Sequence, residues 1–297
     1  RYVPYSGLLH HITITDMPLC RAHVSVCRAC AARMSADVRF MQQWALDLES
    51  RMAGTRRFVL ERDECMRRIY NMSTGVCGDF AVKDAASCLA AGALALLPTE
   101  TVYGVGVAVA AFGQCTELPA EESGYRRIFS LKRRELTQTV PWLVADESAL
   151  DRYGTDVPRA AHVLAQAFWP GALTIVVKAS DAVPRYMRAA DGTVALRASA
   201  CECIQRLVRA CDSPLAVTSA NTHGMPAPAS FEQVEERILA GVDVAIDGGK
   251  TICQEASTIV SCEGGQITLL RMGALAQSDL EAALRAADID TPVRKGC

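Results

Sequence analysis

From Val82 onward, short apolar runs alternate with segments of helical periodicity, and this alternation constrains the fold more than any other feature of the chain. It is typical of an α/β domain, in which helices cover a central sheet. Strands are predicted at 93–97, 142–145, 173–178, 194–196, 215–218, 242–246, 257–260 and 267–270. Helices are predicted at 84–91, 125–133, 159–168, 201–210, 230–239 and 278–286. We therefore predict one α/β domain over 82–287 and a C-terminal tail over 288–297.

Residues 1–80 differ from the rest of the chain, because they contain 11 Arg, no Lys and 8 acidic residues. Apolar residues recur at three-to-four spacing in 34–52 and in 57–70, which predicts two amphipathic helices. No strand is evident in this part. We predict an N-terminal extension that is helical or partly disordered, and its sequence does not indicate a function.

Cysteine is frequent, with 13 residues irregularly spaced, and in a chain of 297 residues this favours reduced thiols and an intracellular protein. Cys20, His23, Cys27 and Cys30 could form a tetrahedral zinc site, although a cysteine-rich chain also produces such a cluster by chance. Residues 1–36 hold four Arg and one acidic residue, a composition mildly similar to a mitochondrial transit segment. We expect a cytoplasmic protein, with a mitochondrial location as the alternative.

The overall charge excludes some classes of partner. A formal net charge of −2 gives no whole-chain attraction to nucleic acid or to anionic lipid. The longest apolar tract, 89–112, is interrupted by Pro98 and Glu100, and a carboxylate is costly inside a bilayer. We therefore expect no membrane span, and any polyanion must meet a local basic patch.

Two stretches combine the side chains that a polar ligand needs. Pro-Thr-Glu-Thr-Val-Tyr-Gly at 98–104 follows a predicted strand, where ligands of α/β proteins bind, and Thr101 offers a hydroxyl. Five basic residues fall within 126–134, and Lys132 and Arg134 could both donate to a phosphate chain from an exposed helix end. The alternatives are an ordinary turn and a solvated helix terminus.

Two later strands also end in polar groups. Alternation along 193–197 predicts that Arg197 faces away from Val194 and Leu196, where it would bind an anion or form a structural salt bridge. Ser219 and Asn221 lie two apart at the end of another strand, so a hydroxyl and an amide would face one ligand.

Taken together, these stretches resemble the YrdC family of threonylcarbamoyl-AMP synthases. The resemblance covers roughly residues 82–287 and continues in tracts that follow one another in the family's order. These are Ile-Phe-x-x-Lys-x-Arg at 128–134, Phe-Trp-Pro-Gly at 168–171, Val-Ala-x-Arg at 194–197, Thr-Ser-Ala-Asn at 218–221, Asp-Gly-Gly at 247–249, Ser-Thr-Ile-Val at 257–260 and Leu-Arg-x-Gly at 270–273.

The resemblance implies a twisted, open, mixed sheet with flanking helices. It also implies synthesis of threonylcarbamoyl-AMP and pyrophosphate from L-threonine, bicarbonate and ATP, with Mg2+ bound to the ATP and no metal-ligating residues. A partner enzyme would transfer the threonylcarbamoyl group to the adenosine beside the anticodon of certain tRNAs.

The same resemblance implies roles for particular residues. Lys132 and Arg134 would be catalytic and hold the nucleotide phosphates. Thr101, Arg197 and Ser219 would bind threonine, with Arg197 as a clamp for an anionic group. The nucleotide would also contact two further residues, Asn221 and Arg271.

The chain departs from the family pattern after Arg134, where Glu135, Thr139 and Val140 stand in place of the usual prolines and Pro141 comes later. The loop over the phosphates is therefore expected to differ. Two other functions stay open: a module that forms carbamoyl adenylate for a carbamoyl transferase, and a YrdC-like protein that binds RNA weakly without catalysis.

Overall fold

The structure, a computed structural model, describes residues 68–72 and 78–296. These residues belong to the second of the two units into which the chain divides, Glu64–Cys297. The helix predicted over 34–52 and the possible zinc ligands Cys20, His23, Cys27 and Cys30 lie outside the described residues. Within them, no helix has the length and apolar character needed to cross a membrane.

The described residues form an 11-stranded mixed sheet. Its strands are β1 Arg68–Asn71, β2 Ala95–Leu97, β3 Gly104–Ala108, β4 Trp142–Val144, β5 Leu173–Lys178, β6 Thr193–Ala198, β7 Leu215–Ser219, β8 Val244–Asp247, β9 Thr258–Glu263, β10 Gln266–Arg271 and β11 Val293–Lys295. They lie in the order β1-β8-β2-β3-β7-β4-β6-β5-β9-β10-β11. Five neighbouring pairs are parallel, namely β1 with β8, β8 with β2, β4 with β6, β5 with β9 and β10 with β11. The predicted mixed α/β sheet is therefore confirmed.

Seven α-helices are described. They are α1 Asp79–Ala90, α2 Gly124–Lys132, α3 Ala149–Tyr153, α4 Arg159–Phe168, α5 Glu202–Ala210, α6 Glu236–Ala240 and α7 Gln277–Ala286. Helix α1 packs against α5, and α4 packs against α7. The helix predicted over 230–239 is instead a short 3-10 turn, Phe231–Gln233, followed by α6, because the backbone at Val234 is extended.

Hydrophobic residues on the two faces of the sheet pack into two separate cores, as strand alternation requires. On one face, Leu96, Val105 and Leu196 pack with residues of α2, α3, α4 and α7. On the other, Leu97 and Val217 pack with α1 and α5. The second core contains no residue of β5, β6, β9 or β10, so this part of the second face is left for the site described below.

Three strands were missed or misassigned from the sequence. The edge strand β1, Arg68–Asn71, falls almost entirely within the helix predicted over 57–70, in a region where no strand was expected. Three of its four residues are exposed, so burial does not alternate along the strand. Val293–Lys295 pairs with β10 although the tail was predicted to lie outside the domain. Strand β3 was not predicted because Gly104 and Gly106 are unfavourable in strands.

Glycine is needed in β3 because β7 lies against it. A Cβ atom at Gly104 would lie 2.4 Å from Val217 Cγ1, and one at Gly106 would lie 2.4 Å from the carbonyl oxygen of Ala216. The antiparallel pairing of Gly104 with Ser219 then brings the start of β3 beside the end of β7. Two of the polar stretches seen in the sequence are thereby neighbours in space.

Candidate functional site

A cavity of about 90 Å3 lies on the second face of the sheet, lined by the loop between β2 and β3 and by residues in or beside β3, β4, β5, β6, β7, β9 and β10. Four of the predicted site residues line it, namely Thr101, Arg197, Ser219 and Arg271. Their positions in the sequence span 170 residues, and the sheet order brings them together. Lys132, Arg134 and Asn221 do not line this cavity, but they contact the strand end that does.

Arg197 is buried in the cavity wall and is held by two groups, one of which is itself held by Ser199. Its Nη2 lies 2.6 Å from Glu100 Oε1, and its Nε donates to the carbonyl oxygen of Gly171 at 3.0 Å. Ser199 Oγ donates to the other oxygen of Glu100. Val194 and Leu196 belong to the opposite core, so the predicted orientation of Arg197 is confirmed.

The salt bridge that we gave as the alternative for Arg197 is therefore present, but it does not use the whole guanidinium. Among the described residues, no group accepts a hydrogen bond from its Nη1. Burial alone would raise the pKa of Glu100, but the charge of Arg197 and hydrogen bonds from Ser199, Arg197 and the Ala200 N–H lower it. Glu100 is thus ionised beside Arg197, which still has a donor for a ligand.

Arg271 stands at the mouth of the cavity, exposed to solvent. Its Nε and Nη2 donate to the carbonyl oxygen of Ser257 at 3.1 Å and 2.7 Å, and Ser257 Oγ shares a hydrogen bond with Thr174 Oγ1 at 2.8 Å. Partial burial of the guanidinium and the charge of Arg197 lower the pKa of Arg271. The two arginines are therefore close enough for their charges to repel.

Thr101 is held in place by the loop to which it belongs. Its hydroxyl shares a hydrogen bond of 2.8 Å with the hydroxyl of Thr99, which also donates to the carbonyl oxygen of Val102 at 2.6 Å. Thr251 Oγ1 donates to the carbonyl oxygen of Thr101 at 2.7 Å. The loop is packed on both sides, which fixes the hydroxyl of Thr101 in the cavity wall.

Lys132 corrects one prediction from the sequence, because it is buried, with 3% of its surface exposed, and does not lie on an exposed helix end. It is the last residue of α2, since Arg133 adopts a left-handed conformation with a φ of 51°. Its Nζ donates to the carbonyl oxygens of Ser219 and Asn221 and to Asn221 Oδ1. Tertiary contact between α2 and the end of β7 causes the burial. Burial and the charge of Arg134 lower the pKa of Lys132 to about 8.

Arg134 is half-buried and reaches the same strand end. Its Nη1 donates to Thr218 Oγ1 at 3.2 Å, and its Nη2 donates to the carbonyl oxygen of Thr139. Its Nε is buried and has no hydrogen-bond partner among the described residues. The segment that lacks the family's prolines therefore folds back on Arg134, and Pro141 at its end lines the cavity.

Asn221 faces away from the cavity. Its Nδ2 donates to the carbonyl oxygens of Thr222 and Met225, at 3.0 Å and 2.6 Å. Its Oδ1 accepts from Lys132. The prediction that Ser219 and Asn221 present a hydroxyl and an amide to one ligand is wrong for the amide in this structure, because neighbouring backbone groups and Lys132 already satisfy it.

Several residues of the site were absent from the predicted set. Glu100, Ser199 and Thr174 are buried polar residues that line the cavity or hold its arginine, and Ser257 joins Thr174 to Arg271. Only Glu100 had a sequence signal, as an acid between two threonines after an apolar run. Thr174 lies at the start of β5 and Ser257 just before β9, where nothing in the local pattern separates them from ordinary strand residues.

Positive charge exceeds negative charge around the site. Four cationic side chains belong to it, namely Lys132, Arg134, Arg197 and Arg271. Of these four, only Arg197 forms an ion pair with a described residue, Glu100. No group of three or more metal-ligating His, Cys, Asp or Glu side chains occurs in the part of the chain that the structure describes. The site is thus suited to anionic ligands rather than to a metal held by protein side chains.

Comparison with known proteins agrees with this geometry. The family model of Sua5, YciO and YrdC, whose description reads "Telomere recombination", matches residues 87–273. The chain belongs to this family. The match includes all seven of the predicted site residues.

Curated relatives that carry the name threonylcarbamoyl-AMP synthase include proteins from Pyrococcus abyssi and Bacillus subtilis. The protein from Pyrococcus abyssi is 32% identical over 206 residues, which are 69% of this chain and 58% of the relative. The protein from Bacillus subtilis is 30% identical over 213 residues, which are 71% of this chain and 59% of the relative. The chain thus spans less than two thirds of the length of these relatives.

A solved structure gives the same fold. The crystal structure of P. abyssi Sua5 complexed with L-threonine aligns with a TM-score of 0.67 and 28% identity, covering 78% of this chain and 62% of that one. The predicted family membership and the predicted class of sheet are therefore both confirmed.

Proposed function

We propose that this chain condenses L-threonine, bicarbonate and ATP to threonylcarbamoyl-AMP. Threonine and bicarbonate first form a carbamate with loss of water. A carbamate oxygen then attacks the α-phosphorus of ATP, the bond from that phosphorus to the bridging oxygen breaks, and pyrophosphate leaves with the electron pair. The names of the curated relatives support this reaction.

The observation that carries the proposal is the pair of arginines in one small cavity. Arg197 is buried, keeps a free donor at Nη1 and lies close to Arg271, which has no carboxylate partner among the described residues. An anion between them would relieve the repulsion of the two charges and accept hydrogen bonds from both. The carboxylate of an amino acid or of its carbamate meets this requirement.

The size of the cavity separates the two substrates. A volume of about 90 Å3 is well below the roughly 300–1,000 Å3 of pockets that enclose drug-sized ligands. It suits an amino acid, whereas a nucleotide would have to extend from the mouth of the cavity. Thr101 and Ser219 would contact threonine, Arg197 would clamp its carboxylate, and Arg271 at the mouth would meet the nucleotide.

The remaining cations lie on the side of β7 from which phosphates would approach. Arg134 would hold the phosphates, because it is half-buried against Thr218 of the cavity wall and has no carboxylate partner among the described residues. Lys132 would contribute its charge from behind the loop 219–221, and Asn221 would act through its contact with Lys132. Fixed charges of this kind stabilise the negative charge that develops on the phosphate oxygens and on the departing pyrophosphate.

Magnesium would enter as part of the MgATP substrate. Among the described residues, no carboxylate lines the cavity, and Glu100, which lies next to it, is already paired with Arg197. Phosphate oxygens and water, which are common ligands of Mg2+, would therefore hold the ion. The product is a reactive mixed anhydride, so a second enzyme must transfer its threonylcarbamoyl group to an acceptor. We propose that this acceptor is tRNA. Both cytoplasm and mitochondrion would supply these partners.

The test is incubation of the full chain with ATP, threonine and 13C-labelled bicarbonate, followed by mass detection of the adenylate and measurement of pyrophosphate. We expect labelled threonylcarbamoyl-AMP and one pyrophosphate per adenylate. Omission of threonine should abolish both products. Pyrophosphate release that does not depend on threonine, or no adenylate under conditions in which the P. abyssi relative forms it, would contradict the proposal.

A further inference from the structure

Glu100 is a buried acid whose charge the proposed reaction does not use directly. It is 5% exposed, and both of its carboxylate oxygens are occupied, one by Arg197 and the other by Ser199. Its backbone is fixed as well, because the Cys253 N–H donates to its carbonyl oxygen at 2.8 Å. Glu100 therefore contacts protein groups and is not among the residues that line the cavity.

We propose that Glu100 and Ser199 are positioning residues that orient Arg197 for threonine. This inference rests on the proposed function and adds the residues that set the affinity for the amino acid.

The geometry of the guanidinium supports the proposal. Nη2 of Arg197 contacts Glu100, and its Nε donates to the carbonyl oxygen of Gly171, so two contacts fix the plane of the guanidinium. The third nitrogen, Nη1, takes part in neither contact and has no acceptor among the described residues. With the plane fixed, the N–H groups of Nη1 point in set directions, and binding of a ligand does not require the ordering of a long side chain.

Ser199 completes the arrangement from the side opposite Arg197. Its hydroxyl donates to Glu100 and also accepts from the Cys201 N–H at 3.2 Å. Ser199 is fully buried. It therefore fixes which oxygen of Glu100 faces Arg197, without touching the cavity itself.

The charges favour this role over simple stabilisation. A buried ion pair contributes little net stability, because desolvation of both ions offsets their attraction. Removal of one partner, however, leaves a buried charge without compensation and a side chain free to move. Loss of Glu100 should thus disturb the position of Arg197 much more than that of groups that bind ATP.

The first experiment measures KM for threonine and for ATP with the full chain. We expect Glu100→Gln to raise KM for threonine at least about tenfold, since a shift of about 1 Å in a positioning group can cost 10²-fold. KM for ATP should stay within about twofold, because no ATP contact changes. Ser199→Ala keeps the ion pair and should raise KM for threonine less, by about threefold to tenfold.

A double-mutant cycle distinguishes positioning from a general structural role. If Glu100 acts through Arg197, Glu100→Gln should raise KM for threonine no further in an Arg197→Met background. The double variant should also fold better than Arg197→Met alone, because both buried charges are gone. An equal effect of Glu100→Gln in both backgrounds would overturn the proposal.

The matched control is Asp84→Asn. Asp84 also pairs with an arginine, Arg68, and also accepts from a hydroxyl, that of Tyr70, but Arg68 does not line the cavity, whereas Arg197 does. We expect a loss of stability and an unchanged KM for threonine in this variant.

Calorimetric titration with threonine separates the two hypotheses. If the wild-type chain neither binds threonine nor forms adenylate, the proposed function fails and this inference falls with it. If the wild type is active and Glu100→Gln and Ser199→Ala bind threonine as it does, only the inference is wrong. Should Glu100→Gln fail to fold, Ser199→Ala alone decides.

Discussion

Arg271 and Arg197 face one cavity, and of the two only Arg197 has a carboxylate partner among the described residues. The two guanidiniums lie near enough that the charge of Arg197 helps to lower the pKa of Arg271. Arg271 is hydrogen-bonded to Ser257, but a cation that has no carboxylate partner and lies beside a second cation stabilises the fold little. Its presence there is explained by a ligand that brings negative charge.

Substitution Arg271→Met should therefore separate activity from stability. We expect adenylate formation to fall about 10²-fold, as after loss of one preorganised donor. The free energy of unfolding should change by at most about 1 kcal/mol, because relief of the repulsion from Arg197 offsets the loss of the hydrogen bonds to Ser257. Initial rates and a denaturant titration measure the two effects.

Arg127→Met serves as the opposite control. Arg127 pairs with Asp243 at 2.9 Å and does not line the cavity. This variant should lose roughly 1 kcal/mol of stability and keep its turnover. Normal turnover in Arg271→Met would show that Arg271 does not act on the nucleotide.

Alanine at Lys132 and at Arg134 should reduce turnover about 10²-fold or more in each case. The two variants should differ in stability. Lys132→Ala leaves three acceptors of the loop 219–221 without their donor and should destabilise the chain by about 1–3 kcal/mol. Arg134→Ala removes a half-buried side chain with weaker contacts and should destabilise it less. Near-normal pyrophosphate release in either variant would contradict the phosphate role.

The pH dependence of stability should carry a contribution from Lys132. Burial and the charge of Arg134 lower its pKa to about 8 from the ordinary lysine value of 10.5. Between these values the unfolded chain holds a proton that the folded chain has lost, so stability rises with pH in this window. The penalty is complete below pH 8.

The comparison with Lys132→Met isolates this contribution, because all other groups titrate alike in both proteins. From pH 8 to pH 10.5 the wild type should gain about 3 kcal/mol relative to the variant, at 1.36 kcal/mol per pKa unit. Urea titrations across this range provide the measurement. A constant difference would mean that the three acceptors around Nζ keep Lys132 charged.

The sequence predicted those parts of the site that depend on local pattern. Alternation along β6 placed Arg197 opposite Val194 and Leu196, and the structure confirms that orientation. Lys132 and Arg134 both reach the end of β7, but neither lines the cavity, so their common role toward phosphates stays a prediction. Family resemblance supplied what pattern could not, namely that these separate stretches belong to one site.

Contacts between distant segments could not be predicted. Glu100 pairs with Arg197 across 97 residues of sequence, and only the sheet order brings them together. Lys132 was expected to be exposed because it ends an amphipathic helix, but its burial is decided by the strand end that packs over it. Edge strand β1 was missed because three of its four residues are exposed, so burial does not alternate along it.

The boundary at residue 82, predicted from composition, cuts through elements of the sheet domain. Helix α1 begins at Asp79, and β1 pairs with β8 along four residues. We expect a variant without residues 1–63 to keep its activity, because all site residues lie beyond that point. A variant without residues 1–81 should melt at least about 5 °C lower than the variant without residues 1–63, as expected for loss of roughly 2 kcal/mol in a domain of this size. Equal melting would show that β1 contributes nothing.

Discrimination among amino acids is the most direct test of what the cavity recognises. Threonine and serine differ by one methyl group, and apolar side chains at Val102, Leu143 and Val217 are available to contact it. A methyl in such a pocket changes kcat/KM by about 10–200-fold, and we expect a preference for threonine in this range. Valine should be almost completely rejected, because a methyl group in place of the hydroxyl would face the polar side chains of Thr101 and Ser219 without forming a hydrogen bond. Competition assays with the three amino acids, read as labelled adenylates, measure both ratios. Use of valine at the rate of threonine would mean that the hydroxyl is not recognised, and the substrate would then have to be sought among other amines that form carbamates.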